Sequence, residues 1–343
     1  MTTHISRDVI ESFAQQILRN QEECEFHSFW IGVTVGGPIE AQEAVVLKAE
    51  LKRRVGERVE AVAPHLNATP AGPDVRFILH HPEGRVVVIV QPLLVYGRYR
   101  KHSREIPQSR WPCRWCRGQG CEKCEGTGKR FDRTVEEILA QPVLAVSRAV
   151  RTKLHSIGRE DVDARMLGRG RPFILECSSP RVRTFDLGAI QEEVNHACRE
   201  ECEFFELQLV KPDLRERMKE MNPDKSYRAL VHCLVPARRE AVAKLAGLRD
   251  VTLTQETPRR VLHRRPNRVR ERVVRECAVE FLGASDPVEK FYLTLRTQSG
   301  AYIKEFISGD QGRTRPSVDQ MLGVPCDCIE LDVLEVHCDP LKE

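Results

Sequence analysis

Four cysteines give the clearest chemical signal in the sequence, because they follow the spacing C-x2-C-x4-C-x2-C. They are Cys113, Cys116, Cys121 and Cys124. Each C-x2-C pair can present two thiolates to one Zn²⁺, and interleaved glycines let the backbone turn tightly around the metal. Because four thiolates leave no ligand position open, the pattern predicts a structural zinc site that stabilises a loop without a core of its own.

Paired acids occur in a second stretch that could do chemistry, residues 158–173. Its sequence, GREDVDARMLGRGRPF, places Asp161 two residues before Asp163 among glycines and arginines. Turn-forming residues of this kind favour a rigid loop that could hold a carboxylate close to a phosphate. A polar surface loop is the alternative interpretation, and it is left open by this stretch alone.

A third stretch is residues 297–306, TQSGAYIKEF. The pattern predicts the end of a strand, a glycine turn and the start of a helix. Lys304 would lie one helical turn in, where its side chain can point back toward the strand ends. Here too a polar surface loop is the alternative.

Positive charge is concentrated in two segments. The first basic segment, residues 97–130, has ten Lys or Arg and three Glu, and the second basic segment, residues 259–275, has eight Arg and one Glu. Each therefore carries a net +7, whereas the whole chain is only +4. The Arg excess predicts a surface that binds a polyanion, nucleic acid above all, although two solvated loops are the alternative. The candidate RNA contacts are Arg259, Arg260, Arg264, Arg265 and Arg268.

The elements that must position these residues are of both types. Apolar periodicity predicts helices over 8–22 and 41–59, and β-branched runs predict strands over 29–35, 75–79 and 85–90. From residue 172 onward, predicted strands outnumber helices and do not strictly alternate with them. We therefore expect an α+β protein with a mixed sheet.

Composition excludes several classes of protein. The 343 residues predict two domains, and 41% hydrophobic residues exclude a disordered chain. No apolar run is long enough to span a membrane and the N-terminus lacks a secretory leader, so we expect a cytoplasmic protein with no membrane contact and no evident protein partner. No glycine loop joins a strand to a helix, which argues against an organic cofactor and against a methyltransferase.

Taken together, these motifs resemble pseudouridine synthases. Residues 158–161 resemble their Gly-Arg-x-Asp loop, residues 299–304 their S-x-G-x-Y-I-R/K motif, and residues 225–227 their K-x-Y element. Residues 255–265 resemble the basic RNA-contacting insertion of one branch, the archaeal and eukaryotic tRNA synthases called the "Pus ten" family. Residues 96–101 and 110–113 also resemble that branch, and the resemblance runs from about residue 29 to 336.

The resemblance implies an activity and its residues. The reaction would isomerise uridine 54, uridine 55 or both in the T-arm of tRNA, with Asp161 as nucleophile and Lys304 as the neighbouring cation. Tyr227 would stack on the target base, while Tyr302 and Arg159 would also bind substrate. Since isomerisation needs no redox change or group transfer, only Zn²⁺ is expected as a cofactor.

The resemblance also implies a division of the chain. Residues 1–130 would form a THUMP-containing α+β RNA-binding domain with the zinc knuckle, and residues 131–343 a mixed-sheet catalytic domain. A noncatalytic zinc-containing tRNA-binding adaptor is the alternative, but an adaptor has no need of Asp161. Asp161 is preferred to Asp163 because it holds the fourth place of the motif; in an extended chain the two side chains would point to opposite faces.

Overall fold

The computed structural model describes residues 5–263 and 265–342, so the predicted RNA contact Arg264 lies outside the described residues. The described chain forms two hydrophobic clusters, one from residues 5–90 and one from residues 93–338. The boundary between them falls at residues 91–92 and not at 130, because the strand that begins at Leu93 pairs with strands of the second unit.

The first unit packs two helices against a four-stranded sheet. Its elements are α1 (Arg7–Arg19), β1 (Ser28–Val35), α2 (Ala41–Val62), β2 (Asn67–Ala68), β3 (Val75–His81) and β4 (Arg85–Val90). The strand order is β2-β1-β3-β4, with β1 parallel to β2 and β3. The Ser6 side chain accepts the Val9 N–H and caps α1, which buries a stripe through Phe13 and Ile17.

The second unit is built on a ten-stranded sheet in the order β13-β10-β11-β12-β9-β14-β7-β5-β8, with β6 paired to β7. Its strands are β5 (Leu93–Lys101), β6 (Arg151–Ser156), β7 (Ala164–Ser178), β8 (Cys202–Leu209), β9 (Lys225–Ala237), β10 (Arg249–Glu256), β11 (Val269–Phe281), β12 (Val288–Thr297), β13 (Thr314–Arg315) and β14 (Cys326–Val336). Its helices are α3 (Val135–Ser147), α4 (Leu187–Cys198), α5 (Pro212–Glu220), α6 (Arg239–Lys244), α7 (Ile303–Ser308) and α8 (Val318–Leu322). Because β14 is parallel to β7 and antiparallel to β9, the sheet is mixed, as predicted.

The acidic stretch is only partly a loop. Residues 164–171, predicted as loop, form the first half of β7, where they pair with β14 and β5. Glycine is required there by close approach of the backbone, since a Cβ on Gly168 would lie 1.8 Å from the Leu334 carbonyl oxygen. The loop proper, called the acidic loop below, is residues 157–163, between β6 and β7.

Three connections bring the candidate residues together. They are the acidic loop, residues 257–268 between β10 and β11, and residues 298–302 between β12 and α7. All three meet above the neighbouring strands β7, β14 and β9, whose side chains line the cavity between them.

Candidate active site and metal centre

The acidic loop is held in place by a buried ion pair. The Glu160 and Arg171 side chains are 0% and 1% exposed, and Arg171 Nε lies 2.9 Å from Glu160 Oε2. The Tyr99 hydroxyl donates to Glu160, and Arg171 Nη1 donates to the Ile157 carbonyl oxygen at 2.7 Å. A buried pair with its remaining hydrogen bonds satisfied is costly to disrupt, so it restrains the loop.

Lys101 holds the other end of the acidic loop. Its Nζ donates to the Val162 carbonyl oxygen at 2.7 Å, and the residue is fully buried. Burial lowers the pKa of Lys101 to about 8, with the nearby carboxylate of Glu160 acting in the opposite direction. Hydrogen bonds to backbone carbonyl oxygens thus replace the water that the buried Lys101 ammonium has lost.

Asp161 and Asp163 both face cations. Arg260 Nη1 lies 3.0 Å from Asp161 Oδ2, while Lys304 Nζ lies 3.9 Å from Asp161 and 2.6 Å from Asp163. The chain is a turn and not extended, because the Ala164 N–H donates to the Asp161 carbonyl oxygen. The two carboxylates therefore share Lys304 instead of pointing to opposite faces. Burial raises the pKa of Asp163, but the Lys304 hydrogen bond and charge leave it lowered.

A cavity of about 650 Å³ lies beside Asp161, large enough for a nucleotide. Its lining includes the predicted residues Arg159, Asp161, Tyr227, Arg265, Tyr302 and Lys304, whereas Asp163 does not line it. Tyr227 comes from β9 and is 8% exposed. Burial, with Arg171 opposing and Asp161 reinforcing, raises the pKa of Tyr227 to about 12, so its hydroxyl is protonated at neutral pH.

Tyr302 is fixed through its backbone. Its N–H donates to Gln255 Oε1 at 2.9 Å and its carbonyl oxygen accepts from Gln255 Nε2 at 3.0 Å. Gln255 is fully buried in β10. The phenol hydroxyl lies 3.2 Å from Arg265 Nη1, so the second basic segment reaches the cavity.

The predicted RNA contacts of the second basic segment differ in their surroundings. Arg259, Arg265 and Arg268 are exposed. Arg260 is exposed as well, but it bridges two carboxylates, with Nε 2.7 Å from Glu305 and Nη1 3.0 Å from Asp161. Its guanidinium therefore faces the acidic loop, while its predicted phosphate contact stays a prediction.

The sequence motifs include some site residues whose burial they did not predict. Arg169 and Arg171 belong to the same strand and motif, yet Arg169 is 57% exposed and Arg171 is 1% exposed. Lys225 belongs to the K-x-Y element, but its burial at the cavity was not expected. Alternation along a strand would place residues 169 and 171 on the same face, so it could not have distinguished them; Gly168 and Gly170, which have positive φ, interrupt the regular strand here.

The four cysteines converge as predicted. Their Sγ atoms lie within 4.8 Å of one another, and three pairs are 3.6–4.0 Å apart. Tetrahedral coordination with metal–sulfur bonds of about 2.3 Å requires sulfur separations of about 3.8 Å, so the set fits a metal ion. Backbone N–H groups of Gly120 and Gly128 donate to Cys116 and Cys124 Sγ. Both glycines are sterically required, since a Cβ would lie 2.6 Å and 2.4 Å from backbone oxygens.

The segment around the four cysteines, residues 108–130 and called the metal loop below, contacts the acidic loop through aromatic stacking. The Trp111 ring lies 5.1 Å from the guanidinium carbon of Arg159, and Gln108 donates to the Gly158 carbonyl oxygen. Paired backbone at Pro112 and Lys129 closes the base of the metal loop beside Trp111. The segment that carries the cysteine cluster thus contacts Gly158 and Arg159, which line the cavity.

Comparison with known proteins identifies the family. The family model "Pus10, C-terminal" matches residues 94–337. The chain is 38% identical to the tRNA pseudouridine synthase Pus10 of Methanothrix thermoacetophila, covering 95% of this chain and 74% of that protein. It is 36% identical to the protein of the same name from Archaeoglobus fulgidus, covering 96% and 92%.

Among solved structures, a chain of a Cbf5-Nop10-Gar1 complex aligns over 60% of this chain and 45% of that chain, with 15% identity and a TM-score of 0.36. No helix of the described residues is long and apolar enough to cross a membrane. On the family match and the relatives, the chain belongs to the Pus10 family of tRNA pseudouridine synthases, and it is an isomerase.

Proposed function

We propose that this chain isomerises uridine 54, uridine 55 or both in the T-arm of tRNA, with Asp161 as the nucleophile. One observation carries the proposal: Asp161, Tyr227 and Lys304 come from three separate elements and line a single cavity. The noncatalytic adaptor is disfavoured because RNA binding alone needs no carboxylate braced by Arg260 and Lys304.

The chemistry breaks the C1′–N1 bond, turns the uracil and joins C5 to C1′. Asp161 would act on the sugar, with Arg260 and Lys304 orienting its carboxylate. The protonated Tyr227 would stack on the uracil, a contact worth about 1–3 kcal/mol. Flipping the nucleotide out of a folded arm costs a few kcal/mol, and phosphate contacts from exposed arginines of the second basic segment would offset it.

The four cysteines would hold one structural Zn²⁺. The donor set is all thiolate and its sulfur separations fit a closed tetrahedral shell. Bound zinc would fix the metal loop and with it the Trp111 ring on Arg159. Metal analysis of the purified protein should give about one zinc per chain, and Cys116→Ser should lose it; a wild-type chain without stoichiometric metal would contradict the assignment.

The first unit would act as the accessory RNA-binding domain of THUMP type. It is joined to the second unit through Arg183, whose guanidinium contacts the Asp74 carboxylate at 3.4 Å and the Asp74 carbonyl oxygen at 3.0 Å. Arg183 is 8% exposed, so this contact is a buried part of the interface between the units. A fixed orientation would let the first unit bind tRNA at a set distance from the cavity.

The proposal is tested with an unmodified tRNA transcript. Carbodiimide treatment and primer extension map pseudouridine at positions 54 and 55 before and after incubation. Asp161→Asn should abolish product while leaving tRNA affinity within a few-fold, because the amide keeps the shape but cannot act as a nucleophile.

Asp163→Asn is the matched control, since Asp163 shares Lys304 but does not line the cavity. It should retain product formation. Activity that survives in Asp161→Asn and disappears in Asp163→Asn would reverse the assignment. A wild-type protein that binds tRNA tightly but yields no product at any uridine would support the adaptor instead.

A further inference from the structure

Lys225 is a buried cation that the chemistry above does not use. It is the first residue of β9, it is 6% exposed, and it lines the same cavity as Asp161. Its Nζ donates to Ser299 Oγ at 3.3 Å, and it forms no ion pair with a carboxylate among residues 5–263 and 265–342. Burying an ammonium without a counter-ion is costly, so this placement needs a reason.

The charges around Lys225 leave an excess of positive charge. Arg171 of β7 faces it, and the carboxylate of Glu160 in the acidic loop is already hydrogen-bonded to Arg171 and Tyr99. Burial and then Arg171 lower the pKa of Lys225 to about 8, while Cys338 and Glu160 act in the opposite direction. Gly158 leaves room for the ammonium, since a Cβ there would lie 2.5 Å from Lys225 Nζ.

We propose that Lys225 Nζ donates a hydrogen bond to a carbonyl oxygen of the target uracil and stabilises the negative charge that the ring acquires when the C1′–N1 bond breaks. The inference rests on the proposed function. The electron pair of that bond leaves with N1 and spreads over the uracil carbonyl oxygens, and C1′ becomes electron-deficient beside Asp161. When C5 then donates an electron pair to C1′, C5 loses its proton and N1 gains one, so the sum is an isomerisation.

The position of Lys225 on β9 favours the target base over a phosphate as the group that it binds. Lys225 and Tyr227 are two residues apart on one strand, so their side chains share a face about 7 Å apart. A uracil stacked on Tyr227 would present its edge to Lys225. The arginines available for phosphates, Arg265 and Arg268, are exposed, whereas Lys225 lies deep in the cavity.

Lys225→Met tests the inference by single-turnover kinetics on a tRNA transcript. Losing a preorganised donor to developing negative charge should lower the rate constant about 100-fold. The tRNA dissociation constant and its salt dependence should not change, because no phosphate contact is lost. The variant should unfold at no lower temperature than wild type, since a buried methionine replaces a desolvated charge.

Arg228→Met is the matched control. Arg228 lies on the same strand, but its guanidinium pairs with Glu280 at 2.7 Å outside the cavity. This variant should keep the wild-type rate constant. A Lys225→Met enzyme as fast as wild type would overturn the inference and leave the proposed function standing.

A second substrate separates a chemical role from a structural one. A transcript with 5-fluorouridine at the target position has a more acidic ring, which leaves more readily as an anion. The deficit of Lys225→Met, measured as loss of the target nucleoside, should therefore shrink by about tenfold. An equal deficit on both substrates, or a salt slope reduced by about one unit as for a lost phosphate contact, would overturn the inference. Inactivity of wild type at every uridine would overturn the proposed function and this inference with it.

Discussion

The two basic segments carry the same net charge of +7, but only the first buries two of its cations without a carboxylate bridge to the acidic loop. In the first segment, Arg98 is 3% exposed and Lys101 fully buried, and both donate to backbone carbonyl oxygens. In the second segment, Arg259, Arg265 and Arg268 are exposed, with Arg265 at the cavity. Arg98 and Lys101 thus use their charge inside the fold, whereas these three arginines of the second segment present charge at the surface.

Position in the sheet explains the difference. Residues 97–101 belong to β5, which has β7 on one side and β8 on the other, and every residue of β5 except Arg100 is buried. Residues 259–268 belong instead to the connection between β10 and β11, in which Arg259, Arg265 and Arg268 are exposed. Equal charge in a sequence therefore does not indicate equal access to a polyanion.

The largest expected effect is on the first segment. Arg98→Met should lower the free energy of unfolding by about 3 kcal/mol, because it leaves the buried Gly170 and Cys338 carbonyl oxygens without their donor. Denaturant unfolding measures it, and the salt slope of tRNA binding should stay unchanged. The exposed Arg110 of the same segment is the control, and its replacement should change stability by less than about 0.5 kcal/mol. A reduced salt slope in Arg98→Met would show that Arg98 contacts a phosphate and would contradict its assignment as a cation used inside the fold.

The next largest effect is expected for Arg260, the arginine of the second basic segment that bridges two carboxylates. Arg260→Met should slow single turnover by about 100-fold, since misplacing a reacting group by about 1 Å costs that much. Without Arg260, Asp161 keeps Lys304 as a neighbouring cation, at 3.9 Å. Binding measured across a salt series should show a wild-type slope. If Arg260→Met lowers the slope and spares the rate, Arg260 contacts phosphate after all.

A smaller effect should follow from the aromatic link between the metal loop and the acidic loop. Trp111→Ala removes the ring from Arg159, a contact worth about 1 kcal/mol, and should slow single turnover by about fivefold. Metal content should remain that of wild type. Trp115, which is 70% exposed and stacks with Lys123, is the matched control and should be neutral for the rate. Equal single-turnover rates for the Trp111 and Trp115 variants would show that the contact between Trp111 and Arg159 does not contribute to the reaction.

The smallest effect is expected at the exposed arginines. Arg268→Met should reduce the salt slope of tRNA binding by about one unit, as for one phosphate contact, and lower affinity for all tRNAs alike. The rate at saturating tRNA should match wild type. An unchanged slope in a variant that replaces Arg259, Arg265 and Arg268 together would make these arginines a solvated loop.

Local patterns account for what could be predicted. The cysteine spacing was sufficient to predict the cysteine cluster, because all four cysteines lie within twelve residues and the glycines favour the turns between them. Periodicity gave the helices and strands of the first unit, and the mixed sheet of the second. The beginning of β7 was missed, since Gly168 and Gly170 suggest a loop unless the neighbouring strand is known.

By itself, the sequence determined the family motifs, the fold class and the cysteine cluster, all of which depend on residues close together in the chain. Only the tertiary structure decided which cation faces which carboxylate. Arg260 pairs with Asp161 across 99 residues, and Lys304 lies nearer to Asp163 across 141. It also decided that Arg171 and Lys225 are buried while Arg169 is not. Pair distances between loops are set by the order and register of the strands beneath them, and no local pattern encodes that order.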